Sequence, residues 1–519
     1  MHLLFQMEAH MLRQEDLYSH IIDTFISEIN SQRVSIGNAR SKTEKLNLGQ
    51  FFTEPKLALF IANMFHIQER NVRLLDPGAG IGILTFATII HLCSLESLPE
   101  TIDVVAIELD DQLIPTLTQT LEYCERICTL NGVNFTYSII QQDFIEYCSL
   151  IFNQENGVYF NKVITNPPYK KINSSSATKR TLKLLQIEST NLYTAFLSLS
   201  KRLLVNNGEL IAITPRSFCN GPYFRPFRLD FLNDMSFTQV HLFNSRKNAF
   251  RDDDVLQENI IFRAIKNQAQ TQVTISSSDN ITGPVNTYLI DYDHLIHPTD
   301  PNSFIHILKD EEDLKIRLAI ENITSNLNEL GLQVSTGRVV DFRTLENLKD
   351  EPDEETVPLI YPFHFNHGYI KWPVIPADKP NAILNNEKTI KSLVPNGNYV
   401  LIRRFSSKEE PRRIVPAIVT SDTFNATYLG FENHINFFHI NGSGMPLNIA
   451  KGLALYLSTT LIDRYFRQFN GHTQVNVGDL KILPYPSFDQ LQTLGTMFDR
   501  KFPEQQEVDR IVGEILNII

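Results

Sequence analysis

The segment VITNPPYKK carries the clearest chemical potential, because Asn166, Pro167, Pro168 and Tyr169 directly follow a strand-like apolar run. Two consecutive prolines cannot continue a hydrogen-bond ladder, and they hold the backbone rigid. The side-chain oxygen of Asn166 and the carbonyl of Pro167 then form two fixed acceptors, and Tyr169 offers an aromatic face. Two acceptors and a ring suit a planar heterocycle that carries an amino group. The alternative for this segment alone is a proline-rich turn.

A glycine-rich segment, LLDPGAGIGILT, provides a second candidate site. Asp76 ends a strand-like run, and Gly78 and Gly80 lead into a helix-like run. Glycines adopt positive φ and let the backbone approach a ligand closely, and a strand before with a helix after is the context of a nucleotide-type site. The spacing is not GxGxxG and no Lys-Ser/Thr follows, so neither a dinucleotide site nor a P-loop fits. Alone, the segment is also compatible with a tight strand–helix turn.

Two carboxylates follow further strand-like runs. Glu108 ends DVVAIE, and an acid at this place accepts hydrogen bonds from ribose hydroxyls. Asp143 follows YSII, where a carboxylate accepts a hydrogen bond from the exocyclic amine of an adenine. The alternatives are an exposed carboxylate at a helix start for Glu108 and a helix N-cap for Asp143.

The elements that must position these residues alternate between strands and helices. The runs VRLLD, DVVAIE, KVITN and GELIAIT are short and apolar, and amphipathic stretches such as ILTFATIIHLCSL and LYTAFLSLSKRLL lie between them. This alternation predicts an α/β fold with a parallel sheet covered by helices. Ligands of such sheets bind at the carboxyl ends of the strands, which is where the candidate residues fall.

The chain of 519 residues divides into three segments, which agrees with the two to four domains expected at roughly 100–200 residues each. We expect residues 1–46 to form an N-terminal helical segment, because LYSHIIDTFISEI places apolar residues at helical spacing. The α/β pattern predicts a catalytic domain over 47–300. In 301–519, Pro and Gly are frequent and short strand-like runs such as NYVLIRRF and INFFHI occur, which predicts a second domain of mixed α and β type.

Composition restricts the partners and the compartment. Lys plus Arg number 47 and Asp plus Glu 59, so the net charge of −12 excludes binding of nucleic acid by bulk charge but not by a local basic cleft. No stretch approaches the ~18–20 apolar residues of a membrane span, and we expect no membrane association. The five cysteines are an odd number in a large chain, which favours reduced thiols and a cytoplasmic location. No zinc-type His/Cys pair accompanies Cys124 and Cys128, so we expect buried thiols and no metal.

Taken in order, the glycine segment, Glu108, Asp143 and the Asn-Pro-Pro-Tyr segment resemble the S-adenosylmethionine-dependent amino-methyltransferases. LGQFFTEPKLALFIANMF, over 48–65, resembles the motif that those enzymes place before the glycine segment. With that motif first and a large second domain last, the chain resembles the gamma class of DNA adenine-N6 methyltransferases, which are type II modification methylases of the TaqI and PstI/BsuBI kind. The resemblance covers about 47–265 and extends to VSTGRVVDFR and GHTQVNVGDLKILP, which resemble segments of the family's recognition half.

The resemblance implies a Rossmann-like, S-adenosylmethionine-dependent methyltransferase core with a C-terminal target-recognition domain of mixed α/β type. It also assigns roles to residues of these motifs. The residues expected to bind the cofactor S-adenosyl-L-methionine are Phe51, Phe52, Thr53, Asp76, Gly78, Gly80, Glu108, Asp143 and Asn166. The residues expected to be catalytic and to hold the target base are Asn166, Pro167, Pro168 and Tyr169.

The family also has a second aromatic residue that packs on the flipped base ahead of a late strand. In NAFRDDDVLQENIIF, Phe250 takes that place, so Tyr169 and Phe250 are the expected stacking pair. The basic residues that usually follow are replaced by Arg251 and three aspartates. The alternative for Phe250 is a core residue.

The implied activity is site-specific transfer of a methyl group to the N6 amine of an adenine flipped out of double-stranded DNA, because the amine is inaccessible in a stacked duplex. Cytosine-C5 chemistry needs a nucleophilic cysteine, typically in a Pro-Cys pair, and the chain has no such pair. Cytosine-N4 chemistry stays open as an alternative, although its enzymes usually carry Ser rather than Asn before the prolines. We expect a monomer. A cognate restriction endonuclease acting separately is its expected partner, and an orphan regulatory role fits equally well.

An acidic chain needs local cationic groups to contact a duplex. Arginine is the commonest reader of guanine in the major groove, although phosphate contacts and plain surface positions are alternatives for each residue. The candidates are Arg338, Arg343, Arg403, Arg404, Arg412 and Arg413.

Three other functions share parts of this pattern. RNA and protein amino-methyltransferases share the core but usually lack the GQFFT segment and a long recognition half. Modification subunits of multi-subunit restriction systems usually carry a long helical domain before GQFFT, whereas only 48 residues precede Gly49 here. A catalytically idle DNA-binding module would not need the intact Asn-Pro-Pro-Tyr and glycine segments. We therefore expect a self-sufficient modification enzyme.

Overall fold

The computed structural model divides into two compact units, Met1–Lys309 and Asp310–Ile519. The first unit contains the α/β pattern, and the second contains the half of the chain rich in short strands. The residues that the structure describes are 23–37, 52–66, 68–152, 159–243, 258–376, 378–407, 409–471 and 473–518.

In its described residues, the first unit contains one large sheet and eight α-helices, besides the helical residues 23–37. Its strands are β1 (Asn71–Pro77), β2 (Thr101–Glu108), β3 (Asn134–Gln141), β4 (Phe160–Thr165), β5 (Leu204–Pro215), β6 (Met235–Phe243), β7 (Asn259–Lys266), β8 (Gln272–Ser278) and β9 (Asn286–Asp291). Its helices are α1 (Pro55–Ala62), α2 (Ile83–Cys93), α3 (Ile114–Leu130), α4 (Phe144–Ile151), α5 (Ala177–Leu184), α6 (Leu192–Leu203), α7 (Arg225–Leu232) and α8 (Tyr292–Leu295).

The order of the nine strands is β3-β2-β1-β4-β5-β7-β6-β8-β9. Strands β3, β2, β1, β4 and β5 are parallel neighbours, and β7 runs antiparallel between β5 and β6. The chain passes from β1 to β2 and β3 on one side and then returns to β4 on the other, so the strand order reverses between β1 and β4. This point is the preferred ligand site of an open α/β sheet. The predicted parallel α/β sheet is confirmed, and the core is Rossmann-like.

The strand register brings the carboxyl ends of these strands together. Asp76 pairs with Ala106, and Glu108 pairs with Gln141. Across the reversal point, the hydroxyl of Thr165 donates to the carbonyl of Pro77 at 2.9 Å. The residues that follow β1 to β4 therefore lie along one edge of the sheet.

Buried charged side chains connect β4, β5 and β7 at a distance from the carboxyl ends of β4 and β5. Lys162 is fully buried, and its Nζ lies 2.8 Å from Glu209 Oε1 and 2.6 Å from Glu69 Oε1. Glu209 also pairs with Arg263 at 2.6 Å. Removal of one partner from such a network leaves an uncompensated buried charge, so each of these side chains depends on the others.

The five cysteines lie in the first unit as buried thiols without disulfide bonds. Burial raises the pKa of the Cys124 thiol, and the sulfur atoms of Cys93 and Cys128 lie 4.0 Å apart. The expectation of buried thiols at Cys124 and Cys128 is confirmed. Among the described helices, none is long and apolar enough to cross a bilayer.

The second unit has two sheets and six helices in its described part, and the expected mixed α/β type is confirmed. The six-stranded sheet contains β10 (Gln333–Thr336), β20 (Ile435–His439), β17 (Tyr399–Arg403), β18 (Pro416–Val419), β14 (Tyr369–Ile370) and β13 (Phe365–Asn366), in that order. The five-stranded sheet contains β11 (Leu348–Lys349), β15 (Ala382–Leu384), β12 (Thr356–Ile360), β19 (Tyr428–Phe431) and β16 (Leu393–Pro395). The helices are α9 (Glu311–Glu321), α10 (Leu447–Leu457), α11 (Thr460–Phe469), α12 (Val477–Lys481), α13 (Phe488–Thr496) and α14 (Gln505–Leu516).

Candidate active site

Asp76 is a buried carboxylate at the end of β1. Its Oδ2 accepts a hydrogen bond from the hydroxyl of Thr85 at 2.7 Å, whereas its Oδ1 has no hydrogen-bond partner within the described chain. Burial raises the pKa of Asp76 to about 7; the Thr85 hydrogen bond opposes this rise and the nearby charge of Glu108 adds to it. A buried, unpartnered carboxylate oxygen is unfavourable, so this atom is available to a hydrogen-bond donor of a ligand.

The glycine turn after β1 needs its glycines for backbone conformation and for space. Gly78, Gly80 and Gly82 have φ values of 78°, 60° and 82°, which disfavour other residues. A Cβ on Gly82 would lie 2.8 Å from a side chain of α3, so this glycine permits close helix packing. A Cβ on Gly80 would lie 3.7 Å from the ring of Phe52. The described end of the GQFFT segment therefore lies against the glycine turn.

Glu108 closes the next strand and is bound to the same turn. Its Oε2 accepts from the backbone N–H of Gly80 at 2.7 Å, and its Oε1 accepts from the N–H of Asp110 at 2.9 Å. Burial raises the pKa of Glu108, and these two backbone hydrogen bonds oppose the rise. Each carboxylate oxygen can accept a second hydrogen bond, so the arrangement leaves capacity for a pair of ligand hydroxyls.

Asp143 is the N-cap of α4, as its alternative interpretation proposed. Its Oδ1 accepts from the backbone N–H groups of Ile145 at 2.8 Å and Glu146 at 3.1 Å. Its Oδ2 takes part in none of the hydrogen bonds that the structure describes. One carboxylate oxygen therefore caps the helix, and the other is available to a ligand amine.

Asn166 and Tyr169 hold each other at the end of β4. The amide Nδ2 of Asn166 donates to the hydroxyl of Thr53 at 3.1 Å. The hydroxyl of Tyr169 donates to Asn166 Oδ1 at 2.9 Å and lies 3.2 Å from the carbonyl of Ile213, at the end of β5. The Asn166 side chain is thereby oriented from both sides, with Pro167 buried next to it.

Two of the expected site residues, Phe51 and Phe250, lie outside the described residues. Phe52 and Thr53 bring the GQFFT segment to both halves of the site, since Phe52 lies against Gly80 and Thr53 accepts from Asn166. The structure thus brings together, along one edge of the sheet, the expected residues of β1, β2 and β4.

Sequence reasoning missed several residues that support this edge. Thr85 bonds to Asp76 from the first turn of α2, and its position one helical turn after the glycines is the only local signal. Arg216, directly after β5, is 1% exposed, and its Nη1 lies 3.3 Å from Glu258 Oε2 just before β7. No pattern in the sequence links these two distant residues.

The arginines expected to contact DNA differ in their surroundings. Arg338 and Arg343 are exposed, and the Arg343 guanidinium lies 5.5 Å from the centre of the Phe342 ring. Arg403 pairs with Glu410 at 3.2 Å, and Arg404 donates to the carbonyl of Asn433 at 3.1 Å.

The expectation that Arg413 contacts DNA is wrong, because this residue is 1% exposed and cannot reach a duplex from that position. Its Nε donates to Ser406 and its Nη2 to Asn470, at 3.1 and 3.0 Å, and its guanidinium lies over the ring of Phe466. Its neighbour Arg412 is half-buried and donates to Thr460 at 2.8 Å. Long-range packing around α11 turns Arg413 into a structural residue.

Comparisons with known proteins agree with this architecture. Residues 107–250 match the family described as Eco57I restriction-modification methylase. The type II methyltransferase M.PstI of Providencia stuartii is 40% identical over 95% of this chain and 97% of its own length. M.BsuBI of Bacillus subtilis is 43% identical over 91% of this chain and 94% of its own length.

Among solved structures, the type IIL restriction-modification enzyme MmeI, in complex with DNA, aligns with 96% of this chain and 75% of its own, at 11% identity and a TM-score of 0.53. That likeness concerns the fold. The identity to M.PstI and M.BsuBI extends over nearly the full length of all three chains, so the chain belongs to the type II methyltransferases of restriction-modification systems.

Proposed function

We propose that this chain transfers a methyl group from S-adenosyl-L-methionine to the N6 amine of an adenine flipped out of a specific site in double-stranded DNA. The observation that carries the proposal is the oriented Asn166 side chain at the strand-order reversal. Thr53 fixes its amide nitrogen and Tyr169 fixes its oxygen, so the acceptor Oδ1 has a defined direction. Such a group suits an amine substrate rather than a ring carbon.

The residues of the first half of the site fit S-adenosylmethionine. Glu108 can accept hydrogen bonds from two ribose hydroxyls, and Oδ2 of Asp143 can accept one from the adenine amine. Oδ1 of Asp76, which has no partner among the described residues, can accept one from a donor group of the cofactor. Phe52 and Gly80 form an apolar wall beside the turn. When bound, the cofactor supplies an electrophilic methyl group on a sulfonium centre.

The residues of the second half activate the target amine. The amino nitrogen of adenine is a poor nucleophile because its lone pair is delocalised into the ring. Asn166 Oδ1 and the Pro167 carbonyl accept its two hydrogens and draw the nitrogen toward tetrahedral geometry, which localises the lone pair. Tyr169 stacks on the flipped base, at roughly 1–3 kcal/mol per stacked base. Fixed acceptors and positioning then supply most of the rate, and the proton leaves after transfer without a dedicated base.

We assign residues 47–300 to catalysis and 301–519 to target recognition. The chain has a net charge of −12, so contact with a duplex needs local cations. Arg338 and Arg343 support such contact by the second unit, because both are exposed and neither has a described carboxylate within ion-pairing distance. The chain acts as a monomer, and a cognate restriction endonuclease acts as a separate protein.

The test is methylation-aware sequencing of DNA from a methylation-free host that expresses the chain. We expect N6-methyladenine at one short sequence motif. Asn166→Ala and Tyr169→Ala should each abolish the modification, and the purified Tyr169→Ala variant should still bind S-adenosylmethionine. Tyr159→Ala is the matched control, because Tyr159 is 49% exposed and precedes the opposite end of β4.

Three outcomes would contradict the proposal. N4-methylcytosine in place of N6-methyladenine would refute the target atom. Methylation that survives Asn166→Ala would refute the acceptor role. A chain that binds S-adenosylmethionine but modifies no DNA would redirect the search to an RNA or protein amine.

A further inference from the structure

One surface of the second unit combines exposed apolar side chains with cations. We call it the aromatic–basic patch. Its members are Arg338, Asp341, Phe342, Arg343, Leu345, Lys379, Arg404, Phe405 and His434, and the fully buried Glu432 contacts His434. Its surface members include four Lys or Arg residues and one carboxylate, Asp341, in a chain whose net charge is −12.

Direct contacts connect the members of the patch. The rings of Phe405 and His434 lie 5.1 Å apart, and His434 Nδ1 lies 2.7 Å from Glu432 Oε1. Lys379 Nζ lies 2.7 Å from Asp341 Oδ2. The Lys379 hydrogen bond, and more weakly the charge of His434, lower the pKa of Asp341, which relates the two halves of the patch.

Arg338 joins the patch through a close backbone approach next to it. The N–H of Gly337 donates to the carbonyl of Ile435 at 2.7 Å, and a Cβ on Gly337 would lie 2.1 Å from the carbonyl oxygen of Glu432. Val339 then forms a parallel bridge with Glu432. Only glycine permits this approach, so it fixes the position from which Arg338 extends into solvent.

Two exposed members of the patch are large apolar side chains that lie close together in sequence. Phe342 is 67% exposed and Leu345 is 69% exposed; we call this pair the apolar knob. Its backbone is held by the N–H of Arg343, which donates to the carbonyl of Val340 at 3.0 Å, and by the N–H of Phe342, which donates to Asp341 Oδ1 at 2.7 Å. A hydrogen-bonded turn that presents two large apolar side chains to water, beside cations, is a candidate interaction surface.

The charges around the knob favour a polyanionic partner. Asp341, the surface carboxylate of the patch, pairs with Lys379, and Oε1 of the buried Glu432 lies 2.7 Å from His434 Nδ1. Arg343, whose guanidinium lies 5.5 Å from the Phe342 ring centre, has no described carboxylate within ion-pairing distance. Duplex DNA offers both complements, since its phosphates attract guanidinium groups and its base steps accept apolar wedges.

We propose that Phe342, supported by Leu345, inserts between stacked base pairs of duplex DNA while Arg338 and Arg343 bind the flanking phosphates. This rests on the proposed function, because it takes the duplex to be the substrate of the same chain. The affinity from the apolar insertion should not depend on salt concentration, whereas the affinity from the arginine–phosphate contacts should.

The test measures the binding of the full-length chain to an unmethylated duplex over a series of salt concentrations. The duplex carries the sequence motif that the chain methylates. For Phe342→Ala we expect about ten-fold weaker binding at every salt concentration, because one stacking contact is lost. The slope of log Kd against log salt should stay unchanged, and Phe342→Trp should bind like wild type. Arg343→Ala should reduce that slope by about one, as loss of a phosphate contact requires.

Phe488→Ala is the control, because Phe488 is 43% exposed at the first position of α13 and is not part of the patch. If wild type methylates its site and Phe342→Ala binds equally tightly, the insertion alone is wrong. A wild-type dimer that Phe342→Ala dissociates would assign the knob to a second copy of the chain and overturn the proposal. A wild-type chain that binds no duplex would overturn both this inference and the proposed function.

Discussion

In the cofactor-free chain, Asp76→Asn should make the free energy of unfolding less dependent on pH. The folded chain holds Asp76 in a fully buried position, one of its oxygens has no partner among the described residues, and burial raises its pKa from 3.8 to about 7. The unfolded chain therefore loses this proton at lower pH than the folded chain does. The free energy of unfolding should fall as the pH rises from about 4 to about 7, because ionisation favours the unfolded state.

The magnitude follows from the two pKa values. A tenfold change in proton affinity corresponds to about 1.4 kcal/mol, so a change from 3.8 to about 7 destabilises the folded state by about 4 kcal/mol at pH 8. Since part of that loss has already occurred at pH 5, about 2–3 kcal/mol remains between pH 5 and pH 8. An amide does not ionise, so Asp76→Asn should lack this component entirely.

The assay is urea unfolding of both proteins at pH 5 and pH 8 without cofactor, followed by circular dichroism. The difference between the two proteins isolates the contribution of Asp76, because all other titrating groups are shared. Thr85→Val is the matched variant: it removes the hydroxyl that bonds to Asp76 Oδ2 at 2.7 Å and should steepen the pH dependence. Equal pH dependence of wild type and Asp76→Asn would refute this account of the buried carboxylate.

Three further changes have defined outcomes. Tyr169→Phe keeps the ring but removes the hydroxyl that orients Asn166, so single-turnover methylation should slow by about ten-fold with unchanged cofactor affinity; an unchanged rate would deny this positioning role. Glu108→Gln replaces a buried charged acceptor, and calorimetry should find S-adenosylmethionine affinity about 10- to 100-fold lower; wild-type affinity would exclude Glu108 from the cofactor site. Arg413→Met removes buried hydrogen bonds and should lower the free energy of unfolding by about 2–4 kcal/mol without changing the salt dependence of duplex binding, and a changed slope would return Arg413 to the DNA surface.

The positions of the site residues along the sheet could be predicted from local patterns. A short apolar run followed by a polar residue marks the end of a buried strand, and β1, β2 and β4 each end as VRLLD, DVVAIE and KVITN predict. Parallel strands bring their carboxyl ends to one edge, so the ends of these runs had to meet there. The glycine turn could also be predicted from the local sequence, since glycine is the residue that most readily adopts its positive φ values.

The partners of these residues could not be predicted, because they come from distant parts of the chain. Thr53 precedes Asn166 by 113 positions, and Ile213, whose carbonyl lies near the Tyr169 hydroxyl, follows Tyr169 by 44. Asp143 had two interpretations, and the structure combines them: Oδ1 caps α4, and Oδ2 is directed to none of the described partners. Hydrogen bonds between distant segments leave no period or spacing in the sequence.

The sequence by itself determined the fold class, the strand ends and the residue types of the site, because each depends on the periodicity and composition of neighbouring residues. Only the tertiary structure decided which charged groups are buried. Arg338 and Arg413 both adjoin short strands of the second unit, yet one is exposed and the other is 1% exposed behind Ser406 and Asn470. Burial is set by what packs around a side chain, and those neighbours are brought together only when the whole chain folds.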